Sequence, residues 1–191
     1  EETMSYILRH TQLLPRHFLM LLNSIFKNPG VTQKLTPFPV SQERIINGIR
    51  QVEEFMVGEI FVAFKPTYPT AEETCKRCLP ELNHKFTMGE LHKVFTRHGK
   101  AVFGSDNLFD FQRMLLEIGA IGRVIPGKEK DVYIKGNFEY TVSHEMTLSQ
   151  DDELCVHPLF SGIFRGNGMG RPVYPYGSVL DDDDYRDGYD S

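Results

Sequence analysis

Tryptophan is absent from this 191-residue chain, and cysteine occurs only three times. Three is an odd and small number, which argues against a disulfide framework. No apolar run approaches the roughly 20 residues that span a bilayer, and no signal peptide opens the sequence. The expectation is therefore a cytoplasmic protein without a membrane partner. Neither a complete phosphate-binding loop nor a nucleophile–base–orienter set can be assembled, so no catalytic machinery is expected in this stretch. The nearest approach is Gly122-Arg123-Val124-Ile125-Pro126-Gly127-Lys128, which is followed by Glu129 where magnesium binding needs Ser or Thr. Its Pro-Gly pair sits between two strand-like runs, which makes it a hairpin turn.

What is present is enough to fold. Hydrophobic residues make up 40% of the chain, with 14 phenylalanines, which suffices for a core. The net charge of −5 comes entirely from residues 181–191, where six aspartates face Arg186 alone. Such a like-charge run cannot bury enough apolar surface to order itself. A decoy for a basic groove is its alternative reading.

The pattern from Thr70 to Tyr140 organises the rest. Thr70-Ala71-Glu72-Glu73 and Thr87-Met88-Gly89-Glu90 both fit the capping box, with Phe86 and Leu91 as a hydrophobic staple across the second. A third helix opens near Ser105-Asp106, carries Leu108, Phe111, Leu115 and Ile118 on one face, and stops at Gly119, suited to a left-handed cap. Ala120–Ile125, a Pro-Gly turn and Val132–Ile134 read as strand, turn, strand. Three helices followed by a basic-tipped hairpin predict a winged helix.

Upstream, Pro15 suits the first position of a helix bearing Phe18, Leu19, Leu22, Ile25 and Phe26. Ser41 caps a long helix running to about Phe64, with Val40 and Ile45 as its staple. Downstream, Asn137–Val142 alternates as an added strand would. Leu154–Phe160 reads as a strand leading to a turn at Pro158, and the Gly/Pro-rich sequence beyond Phe164 reads as loop or disorder. The expected fold is α+β, mainly α. A helical lid-like unit (1–65) leads into a winged-helix domain with a small β-sheet and added strands (66–165), then a disordered Gly/Pro-rich and acidic tail (166–191).

Three constellations bear on function. Cys75-x-x-Cys78 with Cys155 and His157 has zinc-like composition, yet Cys75 and Cys78 fall inside a helix whose apolar face would bury them anyway. No metal ligand is assigned, and His157 before Pro158 is read as structural. Residues 84–136 carry nine cations against six anions. Candidate DNA contacts are Arg123, Lys128, Lys130 and Lys135 on and beside the wing, and Arg113 on the third helix. Asp110 and Glu117 share that helix's polar side and would repel phosphates, so the wing is the better backbone contact. A winged helix used for protein contact stays open beside the DNA reading.

The segment Arg9-His10-Thr11-Gln12-Leu13-Leu14-Pro15-Arg16-His17-Phe18-Leu19-Met20-Leu21-Leu22-Asn23 resembles the lid helices of bacterial P-loop ATPases of the AAA+/STAND kind. In that family a Thr-x-x-x-Pro-Arg stretch starts a lid helix and a winged helix comes after it. Leu115–Gly122 and Val156–Phe160 are similar to the C-terminal part of such chains. The resemblance implies a nucleotide-sensing role for Arg16, a fixed cation closing over a triphosphate. No Walker A or B segment is present, so ATP and magnesium belong to a parent chain and no cofactor to this stretch. The start at Glu1-Glu2, without an initiator methionine, fits a piece whose ATPase core lies upstream. The implied function is a non-catalytic C-terminal regulatory and interaction region that couples nucleotide state to DNA or a protein partner, the upstream ATPase domain included. The alternative is a free-standing winged-helix DNA-binding regulator.

Overall fold

The computed structural model describes residues 3–27, 39–127, 133–164 and 171–178, and all structural statements concern these. The chain is mixed α+β and mainly helical, with one five-stranded sheet. Helix α1 spans Thr3–Leu8, α2 Pro15–Phe26 and α3 Gln42–Phe64. Pro15 opens α2, and the Ser41 side chain caps α3 by accepting from the Arg44 amide. α2 and α3 pack side by side and antiparallel, tied by Arg16–Glu59 at one end and by Arg44, which donates to the Ile25 and Phe26 carbonyls, at the other.

After a turn through Tyr68, α4 (Ala71–Cys78) leads to strand β1 (Lys85–Thr87) and helix α5 (Met88–Val94). Thr87 and Glu90 form the expected capping box, and both staple residues, Phe86 and Leu91, are buried. The box expected at Thr70 does not form, because its side chain makes no cap bond. Glu72 and Glu73 instead pair one turn on with Lys76 and Arg77. Past α5 the helix widens into a five-residue π turn (Phe95–Gly99) and closes with α6 (Lys100–Phe103). Asn107 caps α7 (Leu108–Glu117), whose Phe111, Met114 and Leu115 are fully buried.

Strand β2 (Ile121–Val124) forms the expected hairpin with β3 (Ile134–Asn137), which lies slightly later than the pattern predicts. Gly122 is required here, since a Cβ would collide with the Asn137 carbonyl across the hairpin. Strand β4 (Glu153–Val156) inserts antiparallel between β1 and β2, and β5 (Val173–Pro175) adds parallel to β3, giving the order β1-β4-β2-β3-β5.

Three expectations are corrected here. Asn137–Val142 does not extend the sheet as a whole: only Asn137 lies in β3, and Glu139–Thr141 is a 3-10 turn held by Thr141 Oγ1, which accepts from the Phe138 amide. Pro158 does not turn the chain but starts helix α8 (Pro158–Phe164), where its missing N–H costs nothing. The stretch read as structureless from 166 contains β5, with Val173 and Tyr174 buried. The remainder of that stretch, 166–170 and 179–191, lies outside the described residues. One hydrophobic cluster runs from Ile7, Leu21 and Ile49 through Leu91 and Phe111 to Phe160. The first three helices therefore share a core with α5, α7 and α8. No described helix is long and apolar enough to cross a membrane.

Candidate functional site

The loop between α1 and α2, residues 9–14, is tied by hydrogen bonds both within itself and to distant elements. Thr11 is fully buried; its hydroxyl donates to the Leu8 carbonyl (2.8 Å) and accepts from the Leu13 amide (3.0 Å). Leu13 has φ +54°, the only non-glycine residue in the left-handed region among those described. For a bulky side chain this costs on the order of 1–3 kcal/mol and persists only when its surroundings over-determine it. They do. Gln12 donates from Nε2 to the Ile118 carbonyl at the end of α7 (2.8 Å). Next to it Gly119 sits at φ +71°, where a Cβ would lie 2.5 Å from that same Nε2. Glycine thus serves both the left-handed cap of α7 and the close approach of Gln12.

His10 is joined through Nδ1 to the buried Glu53 carboxylate of α3 (2.7 Å), while its Nε2 accepts from Arg9 Nε (3.1 Å). An arginine can only donate, so the ring proton of a neutral His10 resides on Nδ1 and is given to Glu53. Arg9 lies over the rings of Tyr6 and Tyr174, its guanidinium carbon 4.5 and 5.2 Å from their centroids, and bonds the Tyr174 hydroxyl of β5. Tyr6, Arg9, His10 and Glu53 line a cleft of about 710 Å³ between α1, α3 and α8, with Arg50 and Glu54 exposed on α3. The loop therefore touches α3 through His10, the end of α7 through Gln12 and β5 through Arg9. It then delivers Arg16 to the start of α2.

Arg16 is 70% exposed and pairs with Glu59 at 2.5 Å, so the resemblance-derived nucleotide sensor stands on the surface. Arg113 is engaged by carboxylates. Its Nε bonds Glu117 (2.6 Å), Nη2 bonds Glu139 (3.0 Å), and Nη1 lies 3.0 Å from Glu145 without hydrogen-bond alignment. Burial lowers the pKa of this guanidinium, but the bonds and charges of Glu117 and Glu139 outweigh it and raise the value. Glu117 also accepts from the Tyr68 hydroxyl, whose pKa burial and this bond push up to about 12. The segment 139–146 is thus laid over the polar side of α7, anchored by buried Met146 and by the Met146 amide on Glu139. Three carboxylates around one guanidinium leave an excess of negative charge there.

Arg123, at the end of β2, stands 3.9 Å from Asp152, and Lys135 on β3 lies over the Tyr133 ring. Lys128 and Lys130 fall outside the described residues. Arg123 and Lys135 lie on the paired strands β2 and β3, and Arg113 lies on α7.

The thiols of Cys75, Cys78 and Cys155 are buried, and burial raises the pKa of each, for Cys78 and Cys155 to about 12. Among the described residues no three His, Cys, Asp or Glu side chains are placed to hold a metal ion. His157 is fully buried and caps α8 by accepting at Nδ1 from the Leu159 amide, with the Tyr140 hydroxyl 2.6 Å from Nε2. Burial, assisted by the neighbouring His10, lowers its pKa to about 3, so it is a neutral structural ring at ordinary pH.

Sequence reasoning singled out Arg16 in this region and passed over His10, Gln12, Glu53 and Tyr174. The available signal was the unbroken polar run Arg9-His10-Thr11-Gln12 between two apolar segments, longer than a solvated turn needs. No protein-family model, curated protein or solved structure matches the chain.

Proposed function

We propose that this chain is the non-catalytic C-terminal regulatory and interaction region of a bacterial, cytoplasmic P-loop ATPase, coupling nucleotide state to the binding of DNA or a protein partner. Residues 3–64 serve as the lid-like helical unit and 71–164 as a winged helix. In support of the latter, α4, β1, α5, α7, β2 and β4 succeed one another in winged-helix order, and β1, β4 and β2 pair antiparallel. The described part of the wing is then β3, which lies between β2 and β5.

The observation that carries the coupling is the wiring of the 9–16 loop. One end presents Arg16 to solvent at the head of α2, and the body holds the carbonyl of Ile118, the residue that caps α7, through Gln12. A nucleotide phosphate that draws Arg16 from Glu59 pulls on a loop already strained at Leu13, and the displacement reaches α7 through one hydrogen bond. A ligand shifts such an element only by its differential affinity for the two arrangements.

The alternative, a free-standing DNA-binding regulator reading sequence through α7, is weakened by the carboxylates around Arg113. In the parent ATPase, Arg16→Ala is expected to weaken ATP binding at least tenfold, read by fluorescent-nucleotide titration. Unchanged ATP affinity, or ATP turnover by this chain on its own, would overturn the reading.

A further inference from the structure

On α7 the cation Arg113 is paired with carboxylates, whereas α5 and the turn after it carry cations that, among the described residues, are not. Helix α5 and the π turn after it carry His92, Lys93, Thr96 and Arg97, all exposed, around a shallow depression of about 330 Å³. A π turn takes one more residue into each backbone ring than an α turn, so the side chains on either side leave the regular ladder. Such turns occur frequently at functional sites. Here the irregularity is fixed from the inside: Phe95 packs against Phe111 at 4.8 Å between centroids, and Gly99 is buried.

Among the described residues, neither Lys93 nor Arg97 forms an ion pair. The neighbouring lysines do, with Lys85 held by Glu153 and Lys100 by Asp106, while the His98 ring lies 4.0 Å from Glu81. Glu90, the nearest carboxylate along the helix, is committed to the Thr87 amide and hydroxyl in the capping box. The patch therefore holds two uncompensated cations one helical turn apart, flanked by an imidazole and a hydroxyl.

We propose that this α5 face is a sequence-independent contact for the phosphate backbone of duplex DNA. Arg97 supplies a fork that can take two phosphate oxygens, Lys93 a point charge for a neighbouring phosphate, and Thr96 a neutral donor. Contacts of this kind to phosphate oxygens position DNA without selecting sequence. The site is distinct from the wing residues and does not depend on the nucleotide-coupling reading.

The test is fluorescence anisotropy of the chain with a labelled random-sequence duplex over a series of NaCl concentrations. Each neutralised phosphate contributes about 0.9 to the slope of log affinity against log salt. Lys93→Gln/Arg97→Gln is expected to lower affinity roughly tenfold at low salt and to make the slope shallower by nearly two. Lys93→Arg/Arg97→Lys, which keeps both charges, is expected to retain the slope, and thermal melts of all variants establish that each is folded.

The proposal is overturned if the wild-type chain fails to bind duplex even at low salt, or if the Gln pair binds like wild type. Loss of all binding in Lys128→Ala/Lys130→Ala, with the α5 face intact, would overturn it in favour of the wing. Displacement of the duplex by polyglutamate at matched charge would overturn it in favour of an acidic protein ligand. ATP binding through Arg16 is unaffected by any of these outcomes.

Discussion

Replacing Arg113 by Met keeps an unbranched apolar stem and removes the guanidinium, leaving Glu117, Glu139 and Glu145 facing one another without a cation. An exposed ion pair contributes up to about 1 kcal/mol, whereas removing one partner of a fully buried pair costs roughly 3–5 kcal/mol. The side chains of Arg113, Glu139 and Glu117 are 20, 19 and 27% exposed and fall between these limits, while Glu145, at 69%, adds little. A loss of about 2 kcal/mol is expected at that intermediate burial. In a chain of this length it lowers Tm by roughly 4–8 °C. Thermal denaturation monitored by circular dichroism reads the change directly. Raising salt to 1 M should reduce it, because the remaining carboxylates then repel one another less. Adding Glu139→Gln to the same chain should recover part of the loss, since the two sites share one interaction. A loss below about 0.5 kcal/mol, insensitive to salt, would mean that Arg113 is not committed to the 139–146 strap and is available to a phosphate.

The same geometry yields further expected outcomes. The native state holds His157 neutral down to pH about 3, while the unfolded chain takes up a proton near the ordinary value of 6.5. The unfolded state therefore binds more protons in that window, and stability falls as pH drops from 6.5 toward 3. Urea midpoints measured from pH 8 to 4 should show this limb in wild type and a flatter one in His157→Asn. Gly119→Ala places a Cβ at φ +71° against Gln12, so a destabilisation of about 2 kcal/mol is expected from strain and displacement together. In a Gln12→Ala background the same substitution should cost about 1 kcal/mol, the strain alone. Equal costs in the two backgrounds by chemical denaturation would remove Gln12 from contact with that turn.

Local chemistry was the legible part of the sequence. The Thr87–Glu90 capping box, the Ser41 cap, Pro15 at the head of α2 and the left-handed Gly119 each act through residues within four positions of one another, and each forms. The Thr70 box had the same letters, but Glu73 found Arg77 one turn ahead, a competitor the motif does not encode. Strand pairing was not legible. Nothing in Leu154-Cys155-Val156 says that it inserts between β1 and β2, because that depends on partners 30 and 70 residues away. The π turn was hidden for a similar reason, since its letters, Phe95-Thr96-Arg97-His98-Gly99, carry an ordinary helical pattern.

The candidate site divides along the same line. Arg16 was singled out through resemblance, and the pairing of Arg113 was not legible because its countercharges, Glu139 and Glu145, come from a segment that composition alone reads as strand and loop. Gln12 was missed because a single amide on a loop has no signature until its acceptor, the Ile118 carbonyl, is seen.

In the proposed function, nucleotide state would pass from residues 9–16 to the end of α7 through the hydrogen bond of Gln12 to Ile118, and one comparison probes it directly. Partner affinity of the proposed parent ATPase is measured with ATP and with ADP bound, for wild type and for Gln12→Ala. The expected result is a nucleotide-dependent affinity in wild type that Gln12→Ala abolishes while ATP binding itself is unchanged. Full nucleotide dependence retained in Gln12→Ala would show that the signal does not pass through this hydrogen bond.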